Sequence, residues 1–264
     1  MVKKPHRVIR TQSEYLTVKP DGRPFVYEDE QIKSMHFNAL AIQSSMRKDA
    51  PFDLDLSYTE TMMGFLLLQT KPKSILIVGL GGGSLSKYCY RHLPDCTITT
   101  VEIDEQVISL RDEFKIPPDD MRFRVVHADG AAYIEEQKNN ADVIIVDGYD
   151  ARGLSRKLSS QRFYGLCHQV LRDNGLLVVN LLKSALQIDI YMGRLRKVFD
   201  NVLKVKAESD DNYIGFALKG ARMPKRTELR DLALDLQARH RINFPLIASR
   251  MRASLRENAK GGKA

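Results

Sequence analysis

The chain has 264 residues, of which 43% are hydrophobic and 28% charged, and its formal net charge is +8. These values are typical of a globular protein with a sizeable core, and no apolar run reaches the ~18 residues of a membrane helix. We therefore expect neither a membrane protein nor, because no apolar stretch follows the basic N-terminus, a secreted one.

The first part of the chain, residues 1–56, predicts a small β-rich domain built around hairpins. Short strand-like runs at 25–27, 35–37 and 39–43 are separated by polar residues. The next segment, SYTETMMGFLLLQ at 57–69, carries apolar residues at helical spacing and predicts a helix.

Residues 57–220 predict one catalytic domain in which aliphatic strands alternate with helices. The strands are expected at 74–79, 97–103, 122–128, 141–148 and 175–182, the helices at 84–93, 104–114, 130–137, 160–173 and 188–199, and a closing antiparallel pair at 201–208 and 212–220. This alternation indicates an α/β fold with a doubly wound, mostly parallel Rossmann-like sheet. Ligands of such sheets bind beyond the carboxyl ends of the strands. Residues 221–264 predict a helical tail, with one amphipathic helix at 226–240.

A glycine-rich loop follows the first strand of this array. Gly79, Gly81, Gly82 and Gly83 let the backbone turn tightly and let a ligand approach main-chain N–H groups. Glu102 ends the next strand, where a carboxylate can accept hydrogen bonds from both hydroxyls of a ribose. The pair indicates a dinucleotide or an adenosyl cofactor; the alternatives are a plain tight turn and an exposed strand-end charge.

Three further carboxylates follow the third and fourth strands. Asp129 can accept a hydrogen bond from the amine of adenine, and it can also cap the helix that begins after it. Asp147 and Asp150, in the segment VIIVDGYD, lie three residues apart at the carboxyl edge of the sheet. They indicate a cation site with a proton acceptor, the alternative being loop solvation or capping.

These motifs, taken in order, resemble those of the polyamine aminopropyltransferase (spermidine synthase) family, whose fold is of the class I methyltransferase type. The loop GLGGGS is similar to the family's GGGDGG, and VEID is identical. The D-G after the third strand matches Asp129 and Gly130, and the D-x-x-D loop resembles residues 147–150. IQSSM and SYTET also resemble family segments, so that the resemblance covers about residues 23–220.

The resemblance implies transfer of an aminopropyl group from decarboxylated S-adenosylmethionine to a polyamine such as putrescine, with methylthioadenosine as by-product and no metal. Asp150 would then be the proton acceptor, and Asp147 would contact the cofactor or steer the amine. The other residues implied are Gln43, Gly79, Gly81, Glu102, Asp129 and Gly130 for the cofactor, and Tyr58, Glu60 and Tyr164 for the amine. The family also implies a homodimer formed through the N-terminal region.

The sequence departs from the family pattern around the same site. Gly82 replaces the loop aspartate that grips the aminopropyl ammonium, and Thr59 replaces a histidine. Ala151 and Arg156 replace a proline and an acid. Two alternatives therefore stay open: an S-adenosylmethionine-dependent methyltransferase on the same fold, and a non-catalytic relative that binds a nucleoside.

The basic residues are densest at the two ends of the chain rather than around these motifs. We therefore expect a small-molecule substrate and do not expect nucleic acid as a partner. The three cysteines are odd in number and lack metal-ligand spacing, so we expect reduced thiols in a cytoplasmic protein.

Overall fold

The computed structural model describes residues 7–18, 22–38, 42–138, 140–150, 153–182, 184–220 and 223–261. Residues 39–41, which belong to the strand predicted at 39–43, lie outside this part of the chain. The side chains of Asp150 and of residues 259–261 lie outside it as well. Within the described ranges, no helix combines the length and hydropathy needed to cross a bilayer.

A small sheet forms the N-terminal region. Its elements are β1 (Val8–Ile9), α1 (Gln12–Leu16), β2 (Phe25–Glu28), β3 (Ile32–His36) and β4 (Ser44–Arg47). β2, β3 and β4 form an antiparallel meander, and β1 adds to β2 in parallel. The first two predicted strands are confirmed, whereas the third begins at Ser44, just after the predicted segment.

The main sheet has seven strands and confirms the predicted fold class. Its strands are β5 (Ser74–Val78), β6 (Thr97–Glu102), β7 (Phe123–His127), β8 (Ala141–Val146), β11 (Leu171–Leu181), β12 (Asn201–Lys206) and β13 (Tyr213–Leu218). Between β8 and β11 the chain forms a separate two-stranded sheet of β9 (Tyr149–Asp150) and β10 (Gly153–Leu154). The order is β12-β13-β11-β8-β5-β6-β7. Only β13 runs against its neighbours, and β12 and β13 form the predicted antiparallel pair.

Helices cover both faces of this sheet. They are α2 (Ser57–Met62) with a 3-10 turn at Met63–Leu67, α3 (Ser84–His92), α4 (Glu105–Ile108), α5 (Gly130–Glu136), α6 (Gln161–Val170), α7 (Ala185–Arg196), α8 (Arg226–His240) and α9 (Phe244–Gly261). The helix predicted at 104–114 was too long, because α4 gives way to turns after one turn of helix. α9 was not predicted; Pro245 lies in its first turn, where the missing N–H costs nothing.

The strands divide the core between the two faces of the sheet. In β5, Ile75 and Ile77 belong to one hydrophobic cluster and Leu76 and Val78 to the other. This alternation follows from the two-residue period of a strand whose faces are both buried. Because both faces of β5 pack into the core, the position of its carboxyl end is fixed.

The edge strand β12 is covered by side chains of α9. Arg250 donates to the carbonyl of Lys206 at 2.7 Å, and Asn258 donates to the carbonyl of Val202 at 2.8 Å. Between them, the backbone N–H of Lys204 donates to the hydroxyl of Ser254 at 2.8 Å. These bonds satisfy alternate backbone groups on the open edge of the sheet, which would otherwise be free to pair with another strand.

Candidate active site

A cavity of about 390 Å³ lies at the carboxyl ends of β5, β6, β8 and β11, beneath the small N-terminal sheet and α2. It is where the sequence places the ligand, because register pairs Val78 with both Val101 and Val146, so that the ends of three strands lie side by side. The charged residues among its described lining are Glu102, Asp129, Asp147, Asp210 and Lys157. The described part of the wall thus has four carboxylates and one ammonium.

The glycine loop forms the floor of the cavity. Gly79 has a φ of +101°, and a Cβ there would lie 2.2 Å from the carbonyl oxygen of Asp147, so only glycine fits. Its N–H donates to the carbonyl of Val101 at 2.8 Å, which ties the loop to β6. Gly81 and Gly130 also line the cavity, and a Cβ on Gly81 would meet no atom closer than 3.8 Å. The backbone at Gly81 is therefore open to a ligand.

Glu102 is held with its carboxylate in the cavity wall. One oxygen accepts from the N–H of Leu80 at 2.8 Å and the other from the N–H of Asp104 at 2.9 Å. The residue is 9% exposed. Because each carboxylate oxygen has a further lone pair, both can still accept from the hydroxyls of a sugar.

Asp129 has two roles at once. Its Oδ1 caps α5 by accepting from the N–H groups of Ala131 at 2.9 Å and Ala132 at 3.3 Å. Its Oδ2 accepts from the Nζ of Lys157 at 2.8 Å, and this ammonium is the main cause that lowers the pKa of the Asp129 carboxyl. A ligand amine at this position meets an ionised carboxylate that is already oriented.

Asp147 lies at the centre of a polar chain. Its Oδ1 accepts from the Nδ2 of Asn180 at 2.8 Å, and its Oδ2 accepts from the hydroxyl of Tyr58 at 3.3 Å. Asn180 in turn accepts from the Nδ2 of Asn212 at 2.8 Å. Burial raises the pKa of the Asp147 carboxyl, and the two hydrogen bonds offset part of that rise. Burial, and then the charge of Asp147, raise the pKa of Tyr58.

The sequence analysis missed several polar lining residues: Lys157, Asn180 and Asn212, described above, and also Tyr149 and Asp210. Tyr149 accepts from the N–H of Leu182 at 2.6 Å and donates to the carbonyl of Asn180 at 3.1 Å. Asp210, in the turn between β12 and β13, also lines the cavity. Because β12 is parallel to β11, this turn had to fall at the carboxyl edge, and its acids could have been assigned there.

Of the remaining predicted residues, Gln43 lines the cavity and two others do not. Glu60 follows Tyr58 by two helix positions and so faces the other way, where burial, Glu208 and Asp55 raise the pKa of its carboxyl. Tyr164 is fully buried in the core beneath the sheet, and its hydroxyl has no hydrogen-bond partner among the described residues. Glu60 and Tyr164 therefore lie outside the described lining of the cavity. The side chain of Asp150 lies outside the described part.

The packing around Gly82 disfavours any side chain there, an acid included. A Cβ there would lie 2.6 Å from the Oγ of Ser44 and 2.8 Å from Cδ1 of Phe114, closer than real Cβ contacts. Ser44 also lies 3.2 Å from the hydroxyl of Ser84, so the two serines fill the space beside the loop. Ser44, in β4, and Phe114 therefore occupy the space in which the side chain of a loop aspartate would begin.

Known proteins share both the sequence and the fold. A profile of the spermine/spermidine synthase domain matches residues 55–207. The chain is 34% identical to the polyamine aminopropyltransferase of Chromobacterium violaceum over 239 residues, which cover 89% of this chain and 91% of that protein. A spermidine synthase in complex with the transition state analogue AdoDATO has the same fold, with a TM-score of 0.65, 21% identity, and coverage of 87% and 85% of the two chains.

A methyltransferase is also similar in structure. Human methyltransferase-like protein 13 in complex with SAH is 26% identical, with a TM-score of 0.64, over 71% of this chain and 93% of that one. The profile covers more than half of the chain, and the bacterial relative is similar along almost its whole length. The chain belongs to the spermine/spermidine synthase family of polyamine aminopropyltransferases.

Proposed function

We propose that the protein transfers an aminopropyl group from decarboxylated S-adenosylmethionine to an amine such as putrescine and releases methylthioadenosine. One observation carries this proposal: a chain with a net charge of +8 has a cavity whose described lining has four carboxylates and one ammonium. The donor is a sulfonium and the acceptor an ammonium, and a negative cavity concentrates and stabilises both. Family membership supports the same reaction.

The donor half of the cavity fits an adenosyl group. Glu102 offers two carboxylate oxygens to a ribose, and Asp129 offers one to the amine of adenine. Gln43 and the backbone at Gly81 also line the cavity and lie close to each other. In this proposal these residues hold and orient the donor, and they do not take part in bond making.

In the reaction, the acceptor nitrogen attacks the carbon next to the sulfonium. A new N–C bond forms as the C–S bond breaks, and the sulfur keeps the electron pair as a thioether. The acceptor must first lose a proton, and with a pKa near 10.4 this costs roughly 4–5 kcal/mol at pH 7. We assign the role of proton acceptor to Asp150, as the family resemblance implies, and the binding of the acceptor ammonium to Asp147.

The test of this assignment compares Asp150→Asn with Asp147→Asn. Asp150→Asn should abolish aminopropyl transfer while leaving donor affinity near that of the wild type, because the amide cannot accept the proton. The measurement is product formation from decarboxylated S-adenosylmethionine with a panel of amines, beside donor binding by calorimetry. An active Asp150→Asn variant and an inactive Asp147→Asn variant would transfer the role to Asp147, whose carboxyl already lies in the cavity.

The packing at Gly82 favours one second candidate, methyl transfer from S-adenosylmethionine. Without an acid in the loop, the carboxylate of that cofactor meets no charge repulsion there. Thermal shifts separate the two functions, because a ligand at about 100 times its Kd adds about 2.7 kcal/mol of stability. Stabilisation by decarboxylated S-adenosylmethionine and not by the carboxylated form supports the first function, and the reverse supports the second.

The proposal includes a homodimer and a cytoplasmic location, as the family resemblance implies. Light scattering at micromolar protein should then give twice the mass of 30.1 kDa. A mass equal to one chain at that concentration contradicts the dimer and leaves the proposed reaction untouched.

A further inference from the structure

We infer that Asp210 is a second anionic anchor of the cavity, which holds the far ammonium of a diamine acceptor. The inference rests on the proposed function and names the acceptor class, a short diamine with a charge at each end. Asp210 lines the cavity. Its Oδ2 accepts from the hydroxyl of Ser57 and the N–H of Tyr58, both at 2.8 Å. Its Oδ1 has no hydrogen bond among the described residues and is available to a ligand.

Tyr58 fixes the relation of Asp210 to Asp147. Its backbone N–H donates to Asp210, and its hydroxyl donates to Asp147 at 3.3 Å. The two carboxylates therefore lie at opposite ends of one tyrosine. A diamine that runs along this side chain brings one nitrogen to each carboxylate, with its methylene groups toward the ring. The reacting nitrogen is the one at Asp147, because the backbone of Asp147 adjoins Gly79 and both residues line the cavity.

The charge balance of the turn supports a ligand at Asp210. Among the ion pairs of the described residues, the neighbouring Asp211 contacts Lys206 at 3.8 Å, whereas Asp210 contacts no cation. A carboxylate that lines a cavity without a cation gains a charge-assisted hydrogen bond when an ammonium enters. A monoamine has a single charge, so it pairs with Asp147 and brings no cation to Asp210.

Asp210 also has a structural role, which the experiment must separate from binding. The N-cap residue of α2, Leu56, has no side-chain oxygen. Asp210, from the turn between β12 and β13, caps the helix in its place by accepting from the N–H of Tyr58. Asn is as good a cap as Asp, because its carbonyl oxygen accepts the same bonds. Asp210→Asn therefore removes the charge and keeps the cap. Asp211→Asn is the matched control: it removes the same charge from the same turn, at a side chain that is 93% exposed and outside the cavity lining.

The experiment measures putrescine and butylamine binding by calorimetry in the presence of methylthioadenosine, together with KM for both amines. Asp210→Asn should weaken putrescine binding and raise its KM about ten- to hundred-fold, since hydrogen bonds to charged groups are of that strength. Butylamine binding should not change, Asp211→Asn should behave as the wild type, and both variants should melt near the wild-type temperature.

An equal loss of affinity for both amines, or no loss for putrescine, overturns the inference. Failure of the proposed function has a different signature: the wild type then forms no aminopropylated product from any amine. The calorimetric comparison of putrescine with butylamine still decides the role of Asp210 in that case, because it does not depend on turnover.

Discussion

Asn180 connects the acid in the cavity to the polar residues behind it. It donates to Asp147 and accepts from Asn212, so its amide is oriented by bonds on both sides. A hydrogen bond donated to a carboxylate favours the charged form and lowers its pKa. Asn180 thus opposes the effect of burial, which raises the pKa of Asp147.

Removal of this donor should shift the pH profile. In Asn180→Ala the pKa of Asp147 rises further, so a larger share of the enzyme is protonated at a given acidic pH. The acidic limb of kcat/KM should therefore move to higher pH, measured against the wild type with the same amine. Asn140→Ala is the control, because Asn140 bonds Gln137 away from the cavity. An unmoved limb in Asn180→Ala contradicts the role given to Asn180.

Two glycines should respond to the same substitution with opposite signs. Gly82→Ala drives a methyl group into Ser44 and Phe114 and should lower the free energy of unfolding by about 1–3 kcal/mol. Gly193 lies inside α7, where a Cβ would meet no atom within 4 Å, so Gly193→Ala should stabilise the protein by about 0.5–1 kcal/mol. Denaturant unfolding of both variants measures this. A neutral Gly82→Ala would show that the loop can move away from β4.

Among the elements, α9 and β12 depend on each other directly. Ser254 is 3% exposed and accepts the N–H of Lys204, which faces away from β13. Ser254→Ala leaves that part-buried N–H without its partner and should cost about 1 kcal/mol of stability. Ser249→Ala, on the exposed side of the same helix, should change stability little. Thermal unfolding of the pair checks the difference, and equal melting temperatures would contradict it.

Sequence reasoning predicted the elements whose pattern is local and missed those set by distant contacts. The strands β6, β7 and β8 each lead into a carboxylate, so Glu102, Asp129 and Asp147 could be assigned to one edge of the sheet. β11 begins at Leu171, earlier than predicted, because it extends along β8 through an irregular stretch. Asp210 was missed although the strand pair around it was predicted, because its place at the cavity depends on where that pair joins the sheet.

At the scale of the whole molecule, charge is distributed unevenly. Residues 219–264 hold 12 of the 41 basic residues and 4 of the 33 acidic ones, which accounts for the entire net charge of +8. The rest of the chain is balanced, and its cavity is negative. Cationic substrates are therefore drawn to the cavity by local carboxylates and not by the charge of the molecule as a whole.

Salt should weaken this local attraction. The Debye length falls from about 10 Å at 0.1 M salt to about 3 Å at 1 M, so carboxylates near the cavity mouth are screened. KM for putrescine should rise with added sodium chloride, and more steeply than KM for butylamine, which has half the charge. Steady-state rates over a salt series measure both slopes. Equal slopes would contradict a cavity that selects its substrate by charge.

The contact between α9 and β12 also has a consequence for synthesis on the ribosome. β12 ends at Lys206, whereas the helix that shields it begins only at Phe244. A nascent chain therefore completes its seven-stranded sheet while the outer strand β12 is still exposed. Over that interval the β12 strands of two neighbouring nascent chains can pair with each other. Slow translation of the final segment should therefore increase misassembly more than slow translation elsewhere.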